Sequence, residues 1–237
     1  MRLDKFLCDA KLGTRKDVKK LIKSGIVTVN GKTASDAAMK LDETADTVTV
    51  NGKKIVYEKF IYLMMNKPQG YISATDDKYK KTVLDILPEE FKGYDLFPAG
   101  RLDIDTEGFL LLTNDGQFAH NILSPKKHVP KTYFAKISGK IEENHIQVFK
   151  NGVVIDDGYK TLPADLKILK SGEISEIEIT IYEGKFHQVK RMFSAIGTEV
   201  TYLKRIAMGN LVLDDALKTG EVKKLAKEDI EKIQAGV

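Results

Sequence analysis

Cysteine is almost absent from this chain. Cys8 stands alone among 237 residues, so no internal disulfide is open to it, and its neighbours Leu7 and Ala10 mark it as a small buried hydrophobe without a metal role. Long apolar runs are missing too. No stretch approaches the roughly 18 consecutive apolar residues of a membrane span, and the opening Met1-Arg2-Leu3-Asp4-Lys5 has nothing like a signal peptide's apolar core. These absences lead us to expect a cytoplasmic protein with no membrane partner. The chain has no phosphate-loop motif, no dinucleotide fingerprint and no Cys/His zinc spacing, and His120 and His128 fall at no metal-binding interval. Low-complexity segments and long structureless inserts are lacking as well. What is present is an ordinary globular composition, 42% hydrophobic and 30% charged, in a chain long enough for one large domain or for a small and a medium one.

Net charge is only +4, but it is unevenly placed. Residues 1–32 carry nine Lys and Arg against three Asp, which points to an appended module for a polyanion. Leu3, Phe6, Leu7 and Ala10 recur at helical spacing and Gly13 ends the run. Thr14 followed by Asp17 is a helix-start signal, so a second helix is predicted over 15–23, with Val18, Leu21 and Ile22 on its apolar side. Lys16, Lys19, Lys20 and Lys23 then share one face. A solvated lysine face is the plain alternative, yet four like charges in one stripe repel unless an anion meets them. The pentapeptide TVNGK occurs at 28–32 and again at 49–53. Each copy reads as a hairpin turn, and the pair as two similar turns, not a duplicated domain.

From Phe60 onward strands predominate. Strands are expected at 61–65, 133–137, 165–169, 176–182 and 199–205, and helices at 83–87, 118–122, 142–150, 187–196 and 227–233. Their mixed order predicts an α+β fold around a largely antiparallel sheet.

Residues 100–116, GRLDIDTEGFLLLTNDG, set an arginine and two acids into an abrupt turn ahead of a buried apolar run and an Asn114-Asp115-Gly116 turn. Such a pattern suggests a presented carboxylate. Two plainer readings compete with it. Asp103, Asp105, Glu107 and Gly108 occupy positions one, three, five and six of a calcium loop, but position twelve is Asn114 where a bidentate Glu is needed. A purely structural acidic turn is the other.

The segment resembles the catalytic motif of the pseudouridine synthases, in the branch that modifies ribosomal RNA. Three more segments match that family in order: Asn66-Lys67-Pro68-Gln69-Gly70-Tyr71, then Lys131-Thr132-Tyr133, then Gly184-Lys185-Phe186-His187-Gln188-Val189-Lys190-Arg191-Met192-Phe193. Residues 1–55 are similar to the RNA-binding module first seen in ribosomal protein S4. The resemblance therefore implies an S4-type module over 1–55, a linker over 56–59 and a catalytic domain over 60–237. It implies Asp103 as the catalytic carboxylate, acting either as nucleophile or as base, and Lys190 as the cation that keeps it ionised. Tyr133 has the size and flat face to stack on an extruded base, although a tyrosine inside a strand is more often core. Arg101 is expected to contact phosphate or to fill the space the target base leaves, and Arg191 to meet phosphate or hold the fold. Arg2, Arg15, Lys16, Lys19, Lys20 and Lys23 are the expected phosphate contacts of the module. His187 is given a structural hydrogen-bonding role. Since the reaction is an isomerisation, neither cofactor nor metal is implied. The family's small-subunit branch fits best, with 16S ribosomal RNA in an assembly intermediate as partner and a monomer as the acting form. Glu107 and Phe186 depart from the family pattern. A 23S-directed enzyme of the same family, a non-catalytic assembly factor and a metal-dependent hydrolase built on Asp103 and Asp105 are the competing readings.

Overall fold

The structure is a computed structural model describing residues 1–42, 45–55, 58–124 and 127–235. Val56 and Tyr57, the first half of the expected linker, lie outside the described residues. The chain divides into two compact units, Met1–Phe60 and Ile61–Val237.

In the first unit, helices α1 (Leu3–Asp9) and α2 (Arg15–Lys23) precede the strands β1 (Val27–Val29), β2 (Lys32–Thr33), β3 (Val48–Val50) and β4 (Lys53–Ile55). Helix α2 starts where its capping box places it. The Thr14 side chain accepts from the Asp17 amide, and the Asp17 carboxylate accepts from the Thr14 amide at 3.1 Å. Val18 and Ile22 bury its apolar side against Leu3, Phe6 and Leu7. The two TVNGK copies make matching hairpins, with Asn30, Gly31, Asn51 and Gly52 all at positive φ as a primed turn requires. In the sheet order β2-β1-β3-β4, Thr28 faces Thr49 and their hydroxyls meet at 2.7 Å. Cys8 is half-buried at the edge of this core, less enclosed than its apolar neighbours suggest.

The second unit contains, in order, β5 (Tyr62–Lys67), α3 (Glu89–Lys92), β6 (Phe97–Pro98), β7 (Glu107–Thr113), α4 (Gly116–Leu123), β8 (Lys131–Ser138), α5 (Glu143–Lys150), β9 (Asp165–Lys170), β10 (Ile174–Ile181), α6 (Gln188–Ala195), β11 (Glu199–Met208), β12 (Leu211–Val212), β13 (Val222–Lys224) and α7 (Lys227–Gln234). The main path of its sheet runs β13-β5-β7-β11-β8-β10-β9, with β12 on β11 and β6 on β7. Only the β7–β11 pair is parallel among the described strands, so the expected largely antiparallel sheet is present.

Apolar layers cover both faces. Leu110 and Leu112 of β7 join one layer with Val189, Met192 and Phe193 of α6, while Phe109 and Leu111 join the other with Phe118 and Ile122 of α4. Burial on both sides explains why Phe109 to Leu112 reads as a continuous apolar run with no alternation. At the β7–β11 crossing only glycine fits. A Cβ on Gly108 would stand 2.2 Å from the Arg205 carbonyl oxygen, and Gly108 has φ 98°.

Two sequence expectations change. Residues 83–87 form turns and no helix: the Asp85 carboxylate accepts from the Thr82 amide at 2.6 Å, Pro88 disfavours helical geometry at Leu87, and five residues are too few to offset helix nucleation. Asn114-Asp115-Gly116 is a helix start, where Asp115 caps α4 by accepting from the Phe118 amide.

Candidate active site

The turn carrying Asp103 is held from beneath by a buried ammonium. Lys67, at the end of β5, is 0% exposed, and its Nζ donates to the carbonyl oxygens of Pro68 (3.0 Å), Asp103 (3.0 Å) and Thr106 (2.9 Å). Burial pushes this lysine down to about 8, against the opposing pull of Asp103, Asp105 and Glu107. Ser73 adds a second clamp, donating to the Leu102 carbonyl at 3.0 Å and accepting from the Leu102 amide at 3.1 Å. The Thr106 amide closes the turn on the Asp103 carbonyl at 3.1 Å. Leu102 is thereby buried and Ile104 is turned outward. The segment matching the first family motif thus supports the segment that carries the carboxylate.

Lys190 reaches the turn from the first coils of α6. Val189, Met192 and Phe193 pack into the core, which leaves Lys190 on the side toward the turn. Its Nζ lies 3.4 Å from Asp103 Oδ2 and 2.6 Å from Asp105 Oδ1. Asp105, absent from the sequence-derived site, therefore takes the shorter bond. Burial raises the Asp105 pKa, but the hydrogen bond and charge of Lys190 outweigh it and leave the carboxyl below its ordinary value. His187 Nε2 stands 3.5 Å from Asp103 Oδ1, so this residue faces the carboxylate as well. Arg191, about 100° around the helix, pairs with Asp156 and, at 2.7 Å, with Asp157. Both carboxylates are exposed, so the pair lies at the surface.

The calcium-loop reading finds its ligands otherwise engaged. Asp105 is on Lys190, Glu107 accepts from the Tyr202 hydroxyl at 2.6 Å, and the Phe109 carbonyl at position seven accepts from Arg205 Nε at 2.7 Å.

Above the turn opens a cleft of about 890 Å³, within the size range of ligand sites. Asp103, Tyr133 and His187 line both this cleft and a recess of about 70 Å³. Tyr133 sits in β8 opposite Arg205 of β11 and Ile179 of β10, and only 7% of it is exposed. Arg101 is exposed at the same opening. Two further cations stand in the wall, Lys131, which a matching motif included without a role, and Arg205, which none did. Lys131 donates to the Val129 carbonyl at 2.8 Å and is pushed down to about 8 by burial and by Arg205. Arg205 donates through Nε to the Phe109 carbonyl at 2.7 Å, and its Nη2 is buried without a partner among the described residues. With Arg101, Lys131, Lys185 and Arg205 set against Asp103 and Glu183, the lining favours a polyanion. Glu183 is already occupied, accepting from Tyr159, Leu162 and Gln188.

In the first unit, Lys16, Lys19, Lys20 and Lys23 are exposed on α2, and none forms an ion pair among the described residues. Arg15 is exposed beside them. Arg2 differs, because the buried Asp4 holds its guanidinium through bonds of 3.0 and 2.8 Å.

Comparison with known proteins agrees with this geometry. A family profile described as RNA pseudouridylate synthase matches residues 61–195, and an S4 domain profile matches residues 1–48. The chain is 52% identical to the uncharacterized RNA pseudouridine synthase YtzG of Bacillus subtilis, over 97% of each chain. It is 42% identical to ribosomal small subunit pseudouridine synthase A of Vibrio cholerae, over 98% of this chain and 99% of the relative. Identity to ribosomal large subunit pseudouridine synthase B of Bacillus subtilis is 39%, over 99% of this chain and 96% of the relative. A solved pseudouridylate synthase structure superposes with a TM-score of 0.69 at 36% identity, covering 98% of this chain and 99% of the other. A carboxylate and a tyrosine at one cationic cleft, with an ammonium paired to the carboxylate, lead together with these matches to one conclusion: the chain belongs to the RNA pseudouridylate synthase family and carries an S4 domain.

Proposed function

We propose that this enzyme isomerises a uridine of 16S ribosomal RNA, with Asp103 as the catalytic carboxylate, Lys190 as its charge partner and Tyr133 as the platform for the extruded base. The observation that carries this reading is Asp103, which lines the same recess as Tyr133 and has the Lys190 ammonium 3.4 Å from its carboxylate. In the reaction the bond from uracil N1 to ribose breaks, the base turns, and C5 takes the ribose while its proton passes to N1. Atoms and electrons balance within the substrate. Whether it acts as nucleophile or as base, Asp103 must be ionised, and a carboxylate enclosed with a flipped base stays so only beside a cation. Tyr133 lies deep enough to stack on a base drawn out of the RNA.

Residues 1–55 serve as the RNA-binding module, 56–59 as the linker and 60–237 as the catalytic domain. The module supplies phosphate contacts through Arg15 and the lysine stripe, and Arg101 supplies them at the cleft. Arg2 and Arg191 take structural roles through Asp4 and the Asp156-Asp157 pair. The 16S assignment draws on the resemblance of the motifs to the small-subunit branch, whose relatives stand at 37% to 42% identity beside 39% for a large-subunit enzyme. The protein acts in the cytoplasm, as a monomer, on a small-subunit assembly intermediate.

The deciding experiment is incubation with 16S RNA, its assembly intermediate and 23S RNA, followed by chemical labelling and primer extension. Pseudouridine only in 23S RNA would overturn the subunit choice, and none in any RNA would favour the non-catalytic assembly factor. Lys190→Met is expected to lower kcat by on the order of 10 to 100-fold while RNA affinity changes far less, because it removes the charge beside Asp103. A loss confined to affinity would make Lys190 a phosphate contact. Changing Lys16, Lys19, Lys20 and Lys23 together to Gln should reduce the slope of log affinity against log salt by about 3 to 4, as four phosphates lose their partners. An unchanged slope in that titration would mean that the stripe is only solvated.

A further inference from the structure

Phe186 is the most conspicuous apolar side chain near the site, 71% exposed at the rim of the cleft. One face of its ring lies on the His187 imidazole, with centroids 3.7 Å apart and planes 18° from parallel. His187 holds that position in the left-handed conformation, φ 49° and ψ 31°, a strain of roughly 1 kcal/mol or more for a residue with a side chain. The histidine edge in turn stands 3.5 Å from Asp103. An outward aromatic face thus leads, through one stacked ring, directly to the carboxylate.

We propose that Phe186, backed by His187, is a stacking platform for an unpaired base flanking the target uridine, and so a specificity-determining element of the cleft. The inference rests on the reading that RNA enters this cleft, and depth decides which base each ring takes. Tyr133, 7% exposed, is placed for the base that leaves the RNA stack, whereas Phe186 meets a base that remains outside. The partner's chemistry follows from the neighbours. Arg101 and Lys185 line the same opening, and an exposed aromatic beside such cations takes a base on its flat face while they meet the phosphates. The rigid backing matters as well: Phe186 already lies parallel to His187, so little ring freedom is lost when a base adds a third layer.

The test is a cycle of protein and RNA changes. Wild type, Phe186→Ala and Phe186→Tyr are titrated by fluorescence anisotropy against a 16S fragment. Versions of that fragment with one abasic nucleotide on the 5′ or the 3′ side of the modified uridine complete the cycle. Phe186→Ala should weaken binding to the intact fragment roughly 5- to 140-fold, since a stacked base contributes about 1 to 3 kcal/mol at about 1.4 kcal/mol per tenfold. Phe186→Tyr, which keeps the ring, should stay within about twofold. One of the abasic fragments should bind wild type and Phe186→Ala nearly alike. Equal loss on all three fragments, or no loss on any, would overturn the platform. Binding is read without turnover, so full activity of Asp103→Asn would reject the catalytic assignment alone, while non-additive losses would still uphold the platform.

Discussion

Asp103→Asn is expected to lower isomerisation by at least about a hundredfold while leaving RNA affinity and thermal stability near wild type. An amide keeps the shape of the side chain but can act neither as nucleophile nor as base. Two features of the turn explain why the fold should tolerate the change. Its backbone is held by Lys67 and Ser73 through the carbonyls and amide of residues 102, 103 and 106, none of which the substitution touches. The short bond of Lys190 goes to Asp105, so the ammonium keeps a partner. Single-turnover assays of labelled RNA measure the first effect, and anisotropy with thermal melting the others. Residual turnover above about a hundredth of wild type would reject Asp103 as the reacting carboxylate.

Lys67→Met should be the most damaging substitution to the fold near the site. It removes one donor from the buried Thr106 carbonyl and the part-buried carbonyls of Pro68 and Asp103, and a buried unsatisfied group costs about 1 to 3 kcal/mol. Part of this is offset because the charge no longer has to be desolvated. A net loss of about 2 to 4 kcal/mol, lowering Tm by roughly 5 to 15 °C, is the expected result for a unit of this size. Turnover should fall on the order of a hundredfold as the Asp103 turn loses its register, since a displacement of about 1 Å is enough for that. The pH dependence provides an independent signature. In the folded protein Lys67 sits at about 8, below its ordinary 10.5, so between these values the unfolded chain binds the proton and the folded chain releases it. Stability from this group is therefore present above 10.5 and is lost as pH falls through 8. Lys131 contributes with the same sign, so Lys67→Met should reduce the rise in stability over that window without abolishing it. Thermal melts of both proteins across pH 7.5 to 10.5 would measure it, and an undiminished rise would place the titration elsewhere.

The sequence was informative where a signal is local. Thr14 with Asp17 placed α2 at its observed bounds, and β8 and β11 were readable, apart from their ends, from alternating burial. Strands β6, β12 and β13 span only two or three residues and are too short for any period, while β7, buried on both faces, shows no alternation. At the site, motif order singled out Asp103 and Tyr133, which line one cleft, and Lys190, which pairs with Asp103. Lys67 and Lys131, present in the matching motifs, and Arg205, outside them, were given no role because a lysine or arginine in one dimension looks like surface charge, and only three-dimensional packing reveals that it is enclosed. One signal was available for Lys67: it closes an otherwise apolar strand directly before Pro68, where a solvated lysine has no obvious place.

Strand β5, which ends in the lysine anchoring the Asp103 turn, has β13 on its outer edge. Met64 and Met65 pair there with Lys223 and Val222, and the Asn66 side chain donates to the Leu217 carbonyl. During synthesis β5 leaves the ribosome long before β13, so its edge stays open until the far end of the unit arrives. Chains halted before that point carry Asp103, Tyr133 and Lys190 yet lack the strand that covers the outer edge of β5. Completion of this sheet thus waits until nearly all of the unit has been made.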